Sequence, residues 1–322
     1  YEIDEIYKGL KNGLSLEKVK IFCDKVNLID EDYVEELFMT NTHFYIMFFT
    51  NTGRVYRLKT YEIPEATRTA KGTPVVNFLN LLQRERVTAV IPIKEFAEDK
   101  FLIGVTKHGI IKKTALSNFD TNRKTGLIAM NLKDDDELIG IKQTTGNNNV
   151  IIVTKHGKCI CFSEEDVRPM GRIAGGVRAI KLEKDDEVVS MELVEPGQEL
   201  LVVTQKGFGK RTKVEEYKIQ VRGGKGLLTY DKAKFKKTGE LVGAIVVDDE
   251  DDVMLINSDG IIIRMQAKEI SKLGRATQGV KIMNVKEDTN IISLAKVARQ
   301  DELEKEIKEE LEPQDGQQMV LK

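Results

Sequence analysis

One local pattern returns five times along the 322 residues and limits the possible folds more than any other feature. An apolar strand runs into a tight polar turn closed by glycine, and a second strand carrying Lys or Arg leads away. The copies read IMFFTNTGRVYRL, LIGVTKHGIIKKT, IIVTKHGKCICF, LLVVTQKGFGKRT and VMLINSDGIIIRM. Their turn glycines, Gly53, Gly109, Gly157, Gly207 and Gly260, are separated by 56, 48, 50 and 53 residues. A second glycine follows each turn after 17 to 19 residues, at Gly72, Gly126, Gly176, Gly226 and Gly279. Beyond it come a short apolar strand, an acidic loop and a longer apolar strand: VTAVIPI, LIGIKQT, VVSMELV, LVGAIVV and IISLAKV. Each unit therefore holds about four strands, joined by turns that supply the positive φ a tight hairpin needs.

A four-stranded unit of about fifty residues cannot bury both faces of its own sheet, so copies must stack. Radial stacking into a propeller-like disc achieves this and shortens exposed edges. The expected architecture is all-β, with a disc over residues 1–300 and an acidic tail over 301–322. Residues 1–43 supply part of an opening blade, in which LIDEDYVEELFMT is the acidic loop and outer strand and YKGLKNGLSL stands where a basic glycine segment belongs; the hairpin expected before it is missing, so either this blade is incomplete or its opening strands lie before Tyr1. In the tail, QDELEKEIKEELE places Leu303, Ile307 and Leu311 four apart, the spacing of a short helical stripe.

Cysteine is scarce: Cys23, Cys159 and Cys161. The last two lie two apart on a strand and share a face, either as packing or as half of a metal site completed by Cys23, His108 or His156. No disulfide framework is present, which fits a reducing cytoplasm. No apolar run has the length of a membrane span, and YEIDEIYKGL has no apolar signal core. No G-x-x-x-x-G-K-[ST] loop, H-E-x-x-H pair or nucleophile-base pair appears, so no catalytic and no metal-binding residue is assigned.

The net charge of −2 hides a segregation. Across residues 53–73, 107–126, 155–176, 206–226 and 260–281 there are 26 basic and 9 acidic residues. Carboxylates gather instead in KDDDE, EKDDE and DDEDD, read as one cluster at matching places. Because a disc turns a repeated position into a repeated place, the basic segments predict a belt around the rim, the footprint of a polyanion. Duplex DNA carries about one charge per 1.7 Å of axis, and neutralising its phosphates releases counterions. Without a recognition helix, zinc finger or aromatic-rich strand, readout rests on backbone and deformability rather than bases.

The stretch YKIQVRGGKGLLTY has the densest mixture of cation and glycine. Gly223, Gly224 and Gly226 allow close backbone approach to a phosphate, Arg222 and Lys225 add charge, and Gln220 adds a neutral donor. The same stretch also reads as a plain turn before a strand. Together with FFTNTGRVYRLKTYEIPEATRTAKGTPVVN, RPMGRIAGGVRAIKL and GRATQGVKIMNV, it resembles the C-terminal domain of DNA gyrase A over most of the chain. The resemblance implies a six-bladed β-pinwheel that wraps duplex DNA around a basic rim. It also implies a hallmark heptad Q-R-R-G-G-K-G in the first blade. Here Gln220, Arg222, Gly223, Gly224, Lys225 and Gly226 match its letters in a later blade, with Val221 replacing one arginine, while Lys8, Lys11 and Gly13 are a loose echo at the first-blade place.

The expected phosphate contacts are Arg54, Arg57, Lys71, Lys112, Lys113, Arg123, Lys158, Arg172, Lys210, Arg211, Arg222, Lys225, Arg264, Arg275 and Lys281. Strand alternation turns some of these away. By resemblance, the partners are duplex DNA, the rest of gyrase A and the gyrase B polypeptide in an A2B2 heterotetramer, in the cytoplasm at the nucleoid and not at a membrane. The domain itself uses no cofactor, the ATP and Mg2+ and the cleavage tyrosine belonging to the whole enzyme. Wrapping of positive handedness would present a downstream segment for passage and so introduce negative supercoils. Three other readings stand beside it: the corresponding C-terminal domain of topoisomerase IV, a propeller scaffold binding an acidic protein, and loops holding a nucleotide phosphate. The acidic tail is expected to compete with DNA for the belt.

Overall fold

In the computed structural model, residues 40, 42–64, 73–121, 123 and 126–297 are described. They form five antiparallel sheets, blades I to V, arranged as a propeller. The blade hairpins are Tyr45–Thr50 with Arg54–Lys59, Phe101–Thr106 with Ile110–Ala115, Asn149–Thr154 with Lys158–Ser163, Glu199–Thr204 with Phe208–Lys213, and Asp252–Asn257 with Ile262–Gln266. Seven-residue inner strands follow at Val87–Ile93, Leu138–Thr144, Val188–Val194, Leu241–Val247 and Ile291–Val297, each paired with the first strand of its hairpin.

The fourth strand of each blade comes from the next repeat. Leu127–Ile128 pairs with blade I, Val177–Arg178 with blade II, Leu227–Leu228 with blade III and Val280–Lys281 with blade IV. The second to fifth repeats thus each span two sheets, and blade V, with no described repeat after it, has three strands. The expected blade count of six is corrected to five for the described residues. The incomplete opening blade falls almost wholly outside them, as does the tail over 301–322.

The first hairpin strands are continuous apolar runs because both of their faces are covered. Ile103, Val105 and Ile111 of blade II meet Val150, Ile152, Ile160 and Phe162 of blade III, and equivalent layers fill the spaces between blades I and II, III and IV, and IV and V. Cys159 and Cys161 share one face and lie in the layer between blades III and IV. Burial pushes both thiols up, Cys161 to about 11, so neither offers a thiolate at neutral pH. Cys23 lies outside the described residues.

The inner strands surround a channel of about 780 Å³ and pack on one another in chain order. Among the described residues, no comparable packing joins Ile291–Val297 back to Val87–Ile93. Blade V exposes Ile262 and Ile292 at 37% and 53% on its unpacked side.

Strand register sorts the loops into two ends of the disc. Leu138 pairs with Thr106 and Thr144 with Phe101, so the loop before an inner strand lies at the hairpin-turn end and the loop after it at the opposite end. KDDDE (133–137) and EKDDE (183–187) precede inner strands, whereas DDEDD (248–252) follows one. The three acidic runs therefore do not share one place, which corrects the sequence reading.

Part of their acidity is structural. The Asp136 carboxylate accepts from the His108 backbone N–H at 3.0 Å, and Asp186 accepts from His156 N–H and Thr154 Oγ1, both at 2.8 Å. Glu85 does similar work in blade I, accepting from Thr50 Oγ1 at 2.6 Å and Tyr56 OH at 2.7 Å. Each satisfies donors in or beside the hairpin turn.

Candidate nucleic-acid interface

The basic glycine segments become crossover segments on the outer rim. Each runs along the second hairpin strand of the preceding blade, through the parallel bridges Lys113 to Pro169, Cys161 to Ile219 and Arg211 to Lys272. It then loops outward and returns as the short fourth strand. At the return, Gly226 has φ +70°, and a Cβ there would stand 2.6 Å from the Cys159 carbonyl oxygen, so only glycine fits. Gly223, at φ +84°, needs glycine for its backbone alone, and at Gly224 a Cβ would make ordinary contacts.

Several expected phosphate contacts are buried instead. Lys112, Lys113, Lys210 and Arg211 are at most 4% exposed. Arg211 Nη1 meets Glu199 at 2.8 Å and Asp249 at 2.5 Å, while its Nε donates to the Ile270 carbonyl at 2.9 Å. Lys113 Nζ donates to the Glu164 carbonyl at 2.8 Å and lies 3.6 Å from its carboxylate. Arg57 stacks on Tyr45 with its guanidinium carbon 4.4 Å from the ring centre and bonds to the Thr121 carbonyl. Arg54 Nη2 donates to the Gly126 carbonyl at 2.6 Å. These side chains hold one repeat against the next. Lys112, Lys113, Lys210 and Arg211 are therefore removed from the phosphate track, because blades cover both faces of their strand.

Lys112 and Lys210 form equivalent clasps. Lys112 Nζ reaches the carbonyls of Ala129 (2.5 Å), Arg172 and Ala174 (3.3 Å). Lys210 Nζ reaches those of Gly274 (2.6 Å) and Arg275, together with Thr277 Oγ1 at 3.1 Å. Each fixes the rim loop of the following repeat, and burial pulls each ammonium down to about 8. A folded-state value below the unfolded one means that the unfolded chain holds more protons between about 8 and 10.4, so this contribution to stability grows with pH there and is lost as pH falls through about 8. The unfolding free energy of the parent minus that of Lys210→Met should therefore rise between about pH 8 and 10. Parallel denaturation series for the two proteins measure this, and a flat difference would contradict the clasp as described.

Blade III has Ile160 at the clasp position, three residues after the turn glycine, where blades II and IV have Lys112 and Lys210. There Arg222 ties the loop itself, donating from Nε to the Asp166 carbonyl at 3.3 Å and from Nη1 to the Arg178 carbonyl. Half-buried Gln220 lies alongside, its backbone N–H on the Cys161 carbonyl. Lys158 is paired with Glu183 at 2.5 Å, and Arg264 with Asp252 at 2.6 Å. Lys71 lies outside the described residues.

What remains at the rim is a series. Arg123, Arg178, Lys225 and Lys281 are exposed on or beside the short fourth strands of blades I to IV, without an ion-pair partner among the described residues, and exposed Arg168, Lys218 and Lys268 lie further along the same segments. Half-buried Arg172 and Arg275 stand beside them at one shared position, four residues before the second glycine. Arg178 and exposed Lys218 were not singled out from sequence. Arg178 stands two residues after Gly176 as Lys281 stands two after Gly279, so the repeat itself carried the signal.

The family described as DNA gyrase C-terminal domain, beta-propeller, matches residues 45–94, 100–145, 148–195, 198–248 and 251–298, one repeat per match. The chain belongs to that family. The gyrase C-terminal domain signature thus covers all five described blades. The DNA gyrase A polypeptide of Clostridium acetobutylicum is 50% identical over 282 residues, covering 88% of this chain and 34% of that protein. Its counterpart in Mycolicibacterium smegmatis is 43% identical over 286 residues, again 88% and 34%. The chain therefore spans about a third of the length of these relatives. A solved DNA gyrase A C-terminal domain aligns with a TM-score of 0.70 and 26% identity, covering 82% of this chain and 90% of that one. The C-terminal domain of DNA topoisomerase IV aligns with a TM-score of 0.83 over 92% and 93%, but at 24% identity this likeness speaks to fold alone.

Proposed function

We propose that this gyrase C-terminal domain binds duplex DNA along its rim without reading bases and bends it around the disc. The observation that carries this is the series Arg123, Arg178, Lys225 and Lys281, which places an exposed cation on or beside the short fourth strand of four consecutive blades. Smooth bending of a short site costs on the order of 1–6 kcal/mol, and contacts in series offset it. Within a complete gyrase in the cytoplasm, at the nucleoid, the bound segment is delivered for strand passage, and negative supercoils result. The cleavage tyrosine, ATP and Mg2+ belong to the rest of gyrase A and to gyrase B.

The test is affinity for duplexes of increasing length, each over a range of salt. Affinity should climb until the duplex can follow the rim, and the slope of log affinity against log salt should steepen by about 0.9 for each phosphate gained. Affinity that ignores duplex length would instead favour a scaffold for an acidic protein.

A further inference from the structure

Blade IV departs from its neighbours at the hairpin-turn end. Twelve residues separate Gly126 from Leu138, Gly176 from Val188 and Gly279 from Ile291, whereas fifteen separate Gly226 from Leu241. In blades II and III the loop holds KDDDE or EKDDE, four carboxylates and one lysine. In blade IV residues 231–240 read DKAKFKKTGE, with four lysines and two carboxylates. The sign of the charge is reversed at a matching place.

The reversal has a structural basis. In blades II and III the hairpin-turn N–H groups of His108 and His156 are satisfied by the carboxylates of Asp136 and Asp186. The equivalent N–H in blade IV, on Lys206, donates to the Thr238 carbonyl at 2.9 Å. That carbonyl is supplied by the extra helical turn α1, Phe235–Thr238, whose Phe235 stacks on Tyr230 with ring centres 5.7 Å apart. With the backbone doing the work of the aspartate, the loop is free of the carboxylate its counterparts require.

The lysines so released adjoin the rim. Lys237 and Lys281 both approach the Phe208 ring, with Nζ 5.4 and 5.1 Å from its centre. Lys281 lies on the crossover strand, and Lys237 on the end of the disc. Lys234, Lys236 and Lys237 are exposed, while Lys232 is paired with Glu183 at 2.8 Å. The basic surface is thus continuous from rim to end at blade IV, whereas the loops of blades II and III set carboxylates at that end.

We propose that Lys234, Lys236 and Lys237 form a second duplex-DNA contact that draws the DNA off the rim at blade IV toward the hairpin-turn end. Acidic loops at blades II and III oppose the same displacement there, so the path leaves the plane of the disc at one place and to one side, which gives the bend a pitch. The inference rests on the rim reading above.

The experiment uses the full chain and compares the parent with Lys234→Ala/Lys236→Ala/Lys237→Ala and with the corresponding triple glutamate variant. Unchanged thermal melting shows that the fold persists. On duplexes long enough to pass the rim, the salt slope should fall by about one to three units, at about 0.9 per phosphate. Binding of a duplex only as long as the rim path up to blade III should stay within twofold. The linking-number change trapped when a relaxed circle is sealed by ligase at saturating protein should shrink, most in the glutamate variant. Parent-like slopes and linking change in both variants would overturn the proposal while leaving the rim reading intact. A parent that binds no duplex would overturn both.

Discussion

Replacing Arg123, Arg178, Lys225 and Lys281 together by alanine should weaken duplex binding by about a thousandfold at about 0.15 M salt and lower the salt slope by about 3.6. The magnitude follows from four phosphate contacts, each releasing condensed counterions, taken relative to about 1 M salt where that release no longer drives binding. None of the four side chains is buried or ion-paired among the described residues, so the melting temperature should stay within a few degrees. Filter binding or gel shift over a salt series gives both numbers. A loss that is the same at every salt concentration would mean that the four cations act on the fold rather than on phosphate, and the rim series would have to be abandoned.

Arg211→Met should act in the opposite sense, through stability. The change strips a nearly fully buried guanidinium from Glu199, itself 5% exposed, and from the Ile270 carbonyl. Removing one partner of a buried pair costs about 3–5 kcal/mol, because the other charge is left without compensation. Here Lys272, 2.8 Å from the second Glu199 oxygen, moderates the loss and sets the expectation at about 3 kcal/mol. Chemical denaturation measures it. Adding Glu199→Gln to Arg211→Met should recover part of the loss, since the uncompensated charge is then gone, and a double-mutant cycle isolates the coupling. If Arg211→Met left stability unchanged and reduced only DNA affinity, the side chain would be a surface contact after all.

The contrast between these variants locates what the sequence could and could not reveal. Hairpins and turn glycines were legible because positive φ and a steady period leave direct marks, and Gly53, Gly109, Gly157, Gly207 and Gly260 all adopt φ between +73° and +77°. Exchange of the fourth strand was not legible. A two-residue strand such as Leu227–Leu228 has no pattern long enough to say which sheet it joins. The fate of the hairpin cations was only half legible. Adjacent Lys112 and Lys113 must point to opposite faces of their strand, so one rim could never have displayed both, but only the covering of both faces explains why neither is displayed. The lysine-rich loop of blade IV is marked in the sequence chiefly by its length, three residues longer than the acidic loops at the same place in blades II and III.

The exchanged strands also decide how the disc answers a pull. A stiff duplex forced into a curve strains outward on whatever grips it, and on the proposed path the grip would sit on segments that are hydrogen-bonded into one blade and covalently continuous with the next. Tension at any one loop is therefore divided between two neighbouring sheets, and peeling a single edge cannot relieve it. Such a disc should behave under force as one elastic body that yields all at once rather than blade by blade, which single-molecule stretching of the domain would read as one unfolding step.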